Sequence, residues 1–266
     1  MTNKAYEAIQ SQTWLIKHDA LETILSIANR ANEESIEAVE ARLGRHLNNT
    51  HKVTMRDRVA VVPVTGSIFR YANLFTRVSG ATSIETLATD FQTAADDSAV
   101  DQIILDINSP GGQADGVSEF SKLIKACNKP VIAYVGGEAC SAAYWIASAA
   151  DQIVVADTAI LGSIGVALRV CTDKDKNVVE LVSSQSPKKR PNINSDEGRA
   201  EVQRTIDDLA SVFVSTVAEN RGVDVETVLA DFGQGGLLVG ESAVAAGMAD
   251  SIGTLETLIA GLSGTN

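Results

Sequence analysis

The stretch EACSAAYWIASAAD (Glu138–Asp151) sets one hydroxyl, Ser141, among small residues just ahead of two aromatics. A serine among alanines is ordinarily a tolerated small residue of a packed helix. To act as a nucleophile it needs a base to take its proton and N–H donors for the oxygen of a tetrahedral intermediate. Cys140, next to it, is a second candidate nucleophile, although small buried thiols are ordinary packing residues. Histidine is the usual base, yet His18, His46 and His51 all lie far upstream, near the N-terminus. A lysine serves only if it is neutral near pH 7. Lowering its pKa of about 10.4 by about 3 units costs roughly 4 kcal/mol, which burial in a closed apolar site can supply. Glycine lets a backbone amide approach a reacting oxygen closely, and SPGG (Ser109–Gly112) offers such amides. By itself that motif reads equally well as a tight turn.

Two junctions must position these groups. KPVIAYV (Lys129–Val135) is a short apolar run ending at Gly136 and Gly137, which predicts a buried strand entering a turn. Ala142–Ala150 is apolar nearly all round and predicts a helix buried on every side. Ser141 then falls where a strand passes into a helix, a place that favours developing negative charge. The second junction is DQIILDI (Asp101–Ile107) running into NSPGGQADG (Asn108–Gly116), with a helix over Val117–Ala126. Both leave amides uncovered at the same end of their strands.

Around them, RVAVVPVTGSI (Arg58–Ile68), QIVVAD (Gln152–Asp157) and GSIGVALRV (Gly162–Val170) predict strands, and Ile84–Ala95 a helix. Strands alternating with helices indicate an α/β fold. Ser183–Gly198 is polar and proline-broken and reads as a mobile loop. Arg199–Arg221 predicts a long amphipathic helix with Ile206, Leu209, Val212, Phe213 and Val217 on one side, and the tail from Gly240 to Leu258 closes with a short helix. Upstream, Leu21, Ile24, Leu25 and Ala28 recur at helical spacing after a cap at Asp19, and Ile36–Leu47 predicts a second helix. The expected organisation is a helical N-terminal extension over residues 1–55 and a catalytic domain over 56–266.

The 266 residues, 45% hydrophobic, are enough to bury a substantial core. A formal charge of −12 argues against a nucleic-acid surface. No long apolar run or signal-peptide core occurs, so the expectation is a cytoplasmic chain without a membrane span. Cys127, Cys140 and Cys171 are odd in number and lack C-x-x-C spacing, which argues against a disulfide framework or zinc site. No cofactor is expected.

DINSPGGQADG, ACSAAYWIASAAD, LGSIGV and VGESAVAAGMADSIGT, in that order from Val59 to Leu258, resemble the signal peptide peptidase A family of serine proteases. Within it they are similar to the shorter phage and prophage capsid-maturation members. The resemblance implies the spiral of β-β-α units shared with Clp protease and the crotonases, and a Ser/Lys dyad. It carries the nucleophile onto Ser141 and the oxyanion-hole amides onto Gly112 and Ala142. The base is expected in VVELVSSQSPKKRPN (Val178–Asn192), at Lys189, because phage-type members show a lysine immediately before arginine; Lys188 is the alternate. Either lysine is expected to be exposed in a single subunit until substrate or a neighbour covers the loop.

The same resemblance implies a homo-oligomer acting on protein or peptide substrates such as phage scaffold, portal or capsid proteins, the chain itself among them. The place would be the host cytoplasm or the procapsid interior. A soluble enzyme degrading cellular peptides is the alternative within the same chemistry. Two readings of other classes stand beside it. A crotonase-like acyl-CoA enzyme would need an acidic base and a coenzyme A site, neither of which a motif supplies, and an inactive scaffold would leave Ser141 idle. Tyr144 and Trp145 read as core rather than pocket, Asp115 as a turn residue, and Asp173–Lys176 as a solvated turn.

Overall fold

The computed structural model describes residues 13–30, 51–72, 76, 80–169 and 182–263. The helix expected at Ile36–Leu47, His46, Cys171 and the turn Asp173–Lys176 lie outside the described residues.

The chain opens with β1 (Thr13–Ile16) and α1 (His18–Arg30), then β2 (Thr54–Arg56), β3 (Val59–Thr65), β4 (Ile68–Phe69) and β5 (Thr82–Ser83). Next come α2 (Ile84–Asp96), β6 (Gln102–Ser109), β7 (Gly111–Gln113), α3 (Val117–Lys125), β8 (Val131–Cys140) and α4 (Ala142–Ser148). The rest comprises β9 (Gln152–Val155), β10 (Ile160–Gly162), β11 (Ala167–Leu168), α5 (Asp196–Arg221), α6 (Val225–Asp231), β12 (Leu237–Val239), α7 (Glu241–Ala245), β13 (Ser251–Ile252) and α8 (Leu255–Ser263).

The larger sheet has the order β12-β10-β8-β6-β3-β2, with β9 beside β8 and β13 beside β9. Its central strands β3, β6, β8 and β9 pair in parallel, and parallel strands need cover on both faces. Their alternating side chains supply it. Ala60, Val62 and Val64 point into the main core with Leu87, Phe91 and Phe120 of the helices. Val59, Val61, Ile104 and Ile132 point the other way, onto Ile259 of α8. The smaller sheet has the order β11-β1-β7-β4-β5. Twice a long strand of the larger sheet hands over to the smaller sheet and then to a helix, β3 to β4, β5 and α2, and β6 to β7 and α3; β8 leads straight into α4. This is the repeating β-β-α turn of the Clp protease and crotonase spiral.

Three differences from the sequence expectation have physical reasons. Gly136 and Gly137 do not end β8. The strand runs through them to Cys140 and exchanges its partner from β9 to β10. Gly137 makes room for the Asn108 side chain, which a Cβ would meet at 2.4 Å. In α5, Phe213, Val214, Val217 and Ala218 are the buried apolar residues, whereas Val212 is 52% exposed, because at 3.6 residues per turn it lies across the helix from the face those four share. Within the segment expected to be a helical extension, TWLI (Thr13–Ile16) forms β1 inside the smaller sheet, consistent with its aromatic and β-branched content.

Candidate active site

Ser141 sits between the end of β8 and α4 with φ 54° and ψ −118°, a backbone conformation that a residue with a side chain adopts only when its surroundings impose it. The surroundings are visible. The Ser141 N–H donates to Gly162 O (2.8 Å), and its carbonyl accepts from the Trp145 N–H (3.0 Å). The hydroxyl Oγ faces Gly165 O at 3.5 Å. Both acceptors belong to the LGSIG segment, so that motif is the cradle of Ser141 and not simply another strand. Gly162 itself is compelled, with φ 135° and a Cβ position 2.2 Å from Gly236 O.

The helix behind Ser141 is rigid for a reason of packing. All of Ala142–Ser148 is buried. The Trp145 ring stacks on Phe213 at 4.7 Å, and Tyr144 meets Phe232 edge-on while donating its hydroxyl to Met248 O (3.1 Å). Both aromatics are therefore core. Trp145 Nε1 is buried and finds no hydrogen-bond acceptor among the described residues.

The SPGG turn lies against Ser141. A Cβ on Gly111 would meet Leu15 O at 2.2 Å, Cys140 O at 2.8 Å and Ser141 Cβ at 3.1 Å. The Gly111 N–H donates to Ser109 Oγ (3.2 Å), and Ser109 Oγ donates to Gly66 O (2.7 Å), which secures the turn. Gly112 passes so close to β4 that a Cβ would fall 1.9 Å from Ile68 O. Asn108 ties the two junctions together, its Oδ1 accepting from the Glu138 N–H (3.3 Å). The sequence reading missed Asn108, Gly162 and Gly165 as supporting residues, although all three lie inside motifs it had singled out.

Cys140 is buried, and burial, reinforced by the nearby Glu138 carboxylate, pushes its thiol up to about 12. It stays protonated at neutral pH, which removes it as a nucleophile. Lys17 reaches this region from the end of β1, where its Nζ donates to Glu138 Oε2 (2.8 Å). That hydrogen bond raises the Lys17 pKa and keeps the ammonium charged, the opposite of what a base requires. Glu138 is a further residue of the site that the sequence reading did not single out.

Lys188 and Lys189 lie in a single 3-10 turn, Pro187–Lys189, and both are exposed. Within the segment expected to be a loop, proline at the turn's start favours this tight conformation. Lys188 pairs with Glu201 of α5 (3.1 Å). No lysine of the described residues is hydrogen-bonded to Ser141 Oγ in this single chain. His18 and His51 are likewise exposed. Among the described residues no cluster of side chains suited to a metal ion occurs, and no helix is long and apolar enough to cross a membrane.

A family model described as Peptidase family S49 matches residues 124–264, and the Clp protease model matches residues 81–161. The chain is 31% identical over 204 residues to the capsid assembly protease C of Escherichia phage lambda, covering 73% of this chain and 46% of that protein. Identity to the head-tail preconnector protein GP5 of Enterobacteria phage P21 is also 31% over 204 residues, covering 73% of this chain and 40% of the relative. A putative signal peptide peptidase SppA of Enterococcus faecium is 28% identical over 255 residues, or 90% of this chain and 71% of that one. The chain thus spans less than half the length of the two phage relatives.

Proposed function

The chain belongs to peptidase family S49, and on that premise we propose that it is a serine endopeptidase in which Ser141 attacks the peptide carbonyl and a lysine takes its proton. The observation that carries this reading is the strained backbone of Ser141, held at φ 54° by Gly162 beside the Gly111–Gly112 turn. Strain of this kind persists where the surroundings over-determine it, and it presents a nucleophile on a sharp strand-to-helix corner.

In the proposed reaction, neutral lysine accepts the Ser141 proton as Oγ bonds to the carbonyl carbon. The Gly112 and Ala142 amides receive the oxyanion. The resulting ammonium then protonates the departing amine, leaving an ester on Ser141 that water hydrolyses with the same lysine as base. Lys189 is the proposed base and Lys188 the alternate. Both need to be covered to lose a proton, and a neighbouring subunit or bound substrate is the proposed cover. A homo-oligomer is supported by α5, on which Ile206 and Leu209 are only half-buried and Val212 is 52% exposed.

The proposed substrates are phage capsid assembly proteins, the chain itself among them, by similarity to the two phage relatives. A peptide-degrading enzyme is the second reading, favoured by the greater coverage of the Enterococcus relative. Either way the test of the chemistry is the same. Ser141→Ala should abolish peptide cleavage, while replacing His18, His46 and His51 together should leave most of it. Loss of cleavage in a folded triple-histidine variant would remove the dyad.

A further inference from the structure

The neighbour of Gly112 on its open side is the chain's own N-terminal strand. β1 lies between β7 and β11 and runs antiparallel to both, with Leu15 opposite Gly112 and Trp14 opposite Ala167. Its ladder is anchored at each end, where the Ala114 N–H donates to Thr13 O (3.3 Å) and the Lys17 N–H to Pro110 O (3.0 Å). Hydrogen-bonded pairs alternate in an antiparallel ladder, so these two bonds make Leu15 and Gly112 a hydrogen-bonded pair. The Gly112 amide therefore faces the Leu15 carbonyl, the same carbonyl oxygen that lies against Gly111 beside Ser141.

From this we infer that Thr13–Ile16 occupies the position of a bound peptide, and that substrate reaches Ser141 only after this strand leaves. The inference rests on the assignment of Ser141 and Gly112 to the site. Three features say that the strand is seated rather than merely nearby. Leu15 is buried in the main core, as a residue filling a pocket would be. Trp14 and Ile16 point to the other face and pack with Leu21, Ile24 and Phe69, Trp14 meeting Phe69 edge-on at 6.2 Å. Lys17 closes the end of the strand on Glu138. Beyond Ile16, a cleft of about 420 Å³ lined by Lys17, Thr23, Ser67, Pro110 and Glu138 is open for chain that continues past the site.

Because β1 is covalently attached, its effective concentration at the slot is on the order of millimolar, so a free peptide of equal intrinsic affinity competes only near that concentration. A regulator, a neighbouring subunit or a tight substrate that draws the strand out would activate the site. Extended peptides resembling TWLI, with a large aliphatic residue at the Leu15 position, are the class the slot accepts.

A reversible lock tests this. Thr13 and Leu168 are direct cross-strand partners, and such partners lie about 4.5–5.5 Å apart, within the span a disulfide bridges. Thr13→Cys with Leu168→Cys should hold β1 in place when oxidised and free it when reduced, with each single variant as control. Two readouts separate the questions. One is turnover of a reporter peptide. The other is binding of a fluorescent peptide copying residues 11–19 to the same lock carrying Ser141→Ala, which needs no catalysis. Both should fall about tenfold or more on oxidation and recover on reduction. Equal binding in the two states, or no binding in either, overturns the inference. Redox-sensitive binding without turnover in either state would keep the strand in the slot and remove the serine-protease reading instead.

Discussion

Gly112→Ala isolates the part of the site that is pure backbone. The added methyl would lie 1.9 Å from Ile68 O, 2.5 Å from Ile68 C and 2.6 Å from Ile68 Cα. Those are backbone atoms of β4, which β5 and β7 hold on either side, so no side-chain rotation relieves the overlap. Relief requires β7 to move away from β4 by about 1 Å or more. A shift of that size in a positioned donor costs about 100-fold in rate, and overpacking of this kind costs about 1–3 kcal/mol in stability. For a domain of this size that is a fall in Tm of about 2–4 °C per kcal/mol. The matched control is Gly165→Ala, where a Cβ meets nothing within 4 Å, although the Gly165 carbonyl faces Ser141 Oγ. Measured on a reporter peptide, kcat/KM should drop about 100-fold for Gly112→Ala and stay near wild type for Gly165→Ala. Equal, near-wild-type activity in both would mean that the Gly112 amide is not part of the catalytic apparatus.

Other perturbations follow from the same contacts. Lys189→Ala should remove activity at every pH tested, whereas Lys188→Ala, which loses its pairing with Glu201, should keep turnover and change mainly KM; the reverse pattern would move the base by one residue. Phe213→Ala, which strips the stacked partner from Trp145 under α4, should destabilise the fold by about 3–5 kcal/mol in denaturant titration, and a loss under 1 kcal/mol would contradict the packing account. Burial raises the Asp250 carboxyl, but its bonds to Arg221 and to the Ile153 amide outweigh that and hold it below the ordinary carboxylate range. A depressed folded-state pKa stabilises above the unfolded value, about 3.9, and this contribution is lost as pH falls through the folded one. The Tm gap between wild type and Arg221→Ala should therefore be widest at neutral pH and narrow below about pH 4, without closing, because Arg221 also bonds the non-titrating Gly247 carbonyl.

The core was legible in the sequence because its periodicities are unambiguous. DQIILDI and KPVIAYV are strands buried on both faces, and Ala142–Ser148 is a helix with no polar side, so the corner at Ser141 followed from the two apolar patterns that meet there. What was not legible depends on contacts far apart in sequence. TWLI is only four residues long and leads into an amphipathic helix, so it read as part of a helical extension. Its partners, Gly111–Gln113 and Ala167–Leu168, lie far along the chain, and only the folded arrangement brings them to either side of it. Gly136–Gly137 read as a turn because paired glycines usually break strands, whereas here the small residue serves a close approach to Asn108. Val212 fell at the edge of the apolar face that Ile206 and Leu209 suggest by spacing, but packing turns the side with Phe213, Val214, Val217 and Ala218 to the core and Val212 away from it. The proposed lysine base would depend on what covers the exposed turn Pro187–Lys189, which its neighbours in sequence do not determine.

The most direct test of the central claim is to look for the covalent intermediate. A reporter peptide mixed with enzyme and quenched in acid should leave its acyl portion esterified to one residue, read by mass spectrometry of the fragment spanning Glu138–Asp151. The account predicts the added mass on Ser141, and none on Cys140 or anywhere in Ser141→Ala. Cleavage at the wild-type rate by Ser141→Ala, or acyl mass carried by another residue, would contradict it.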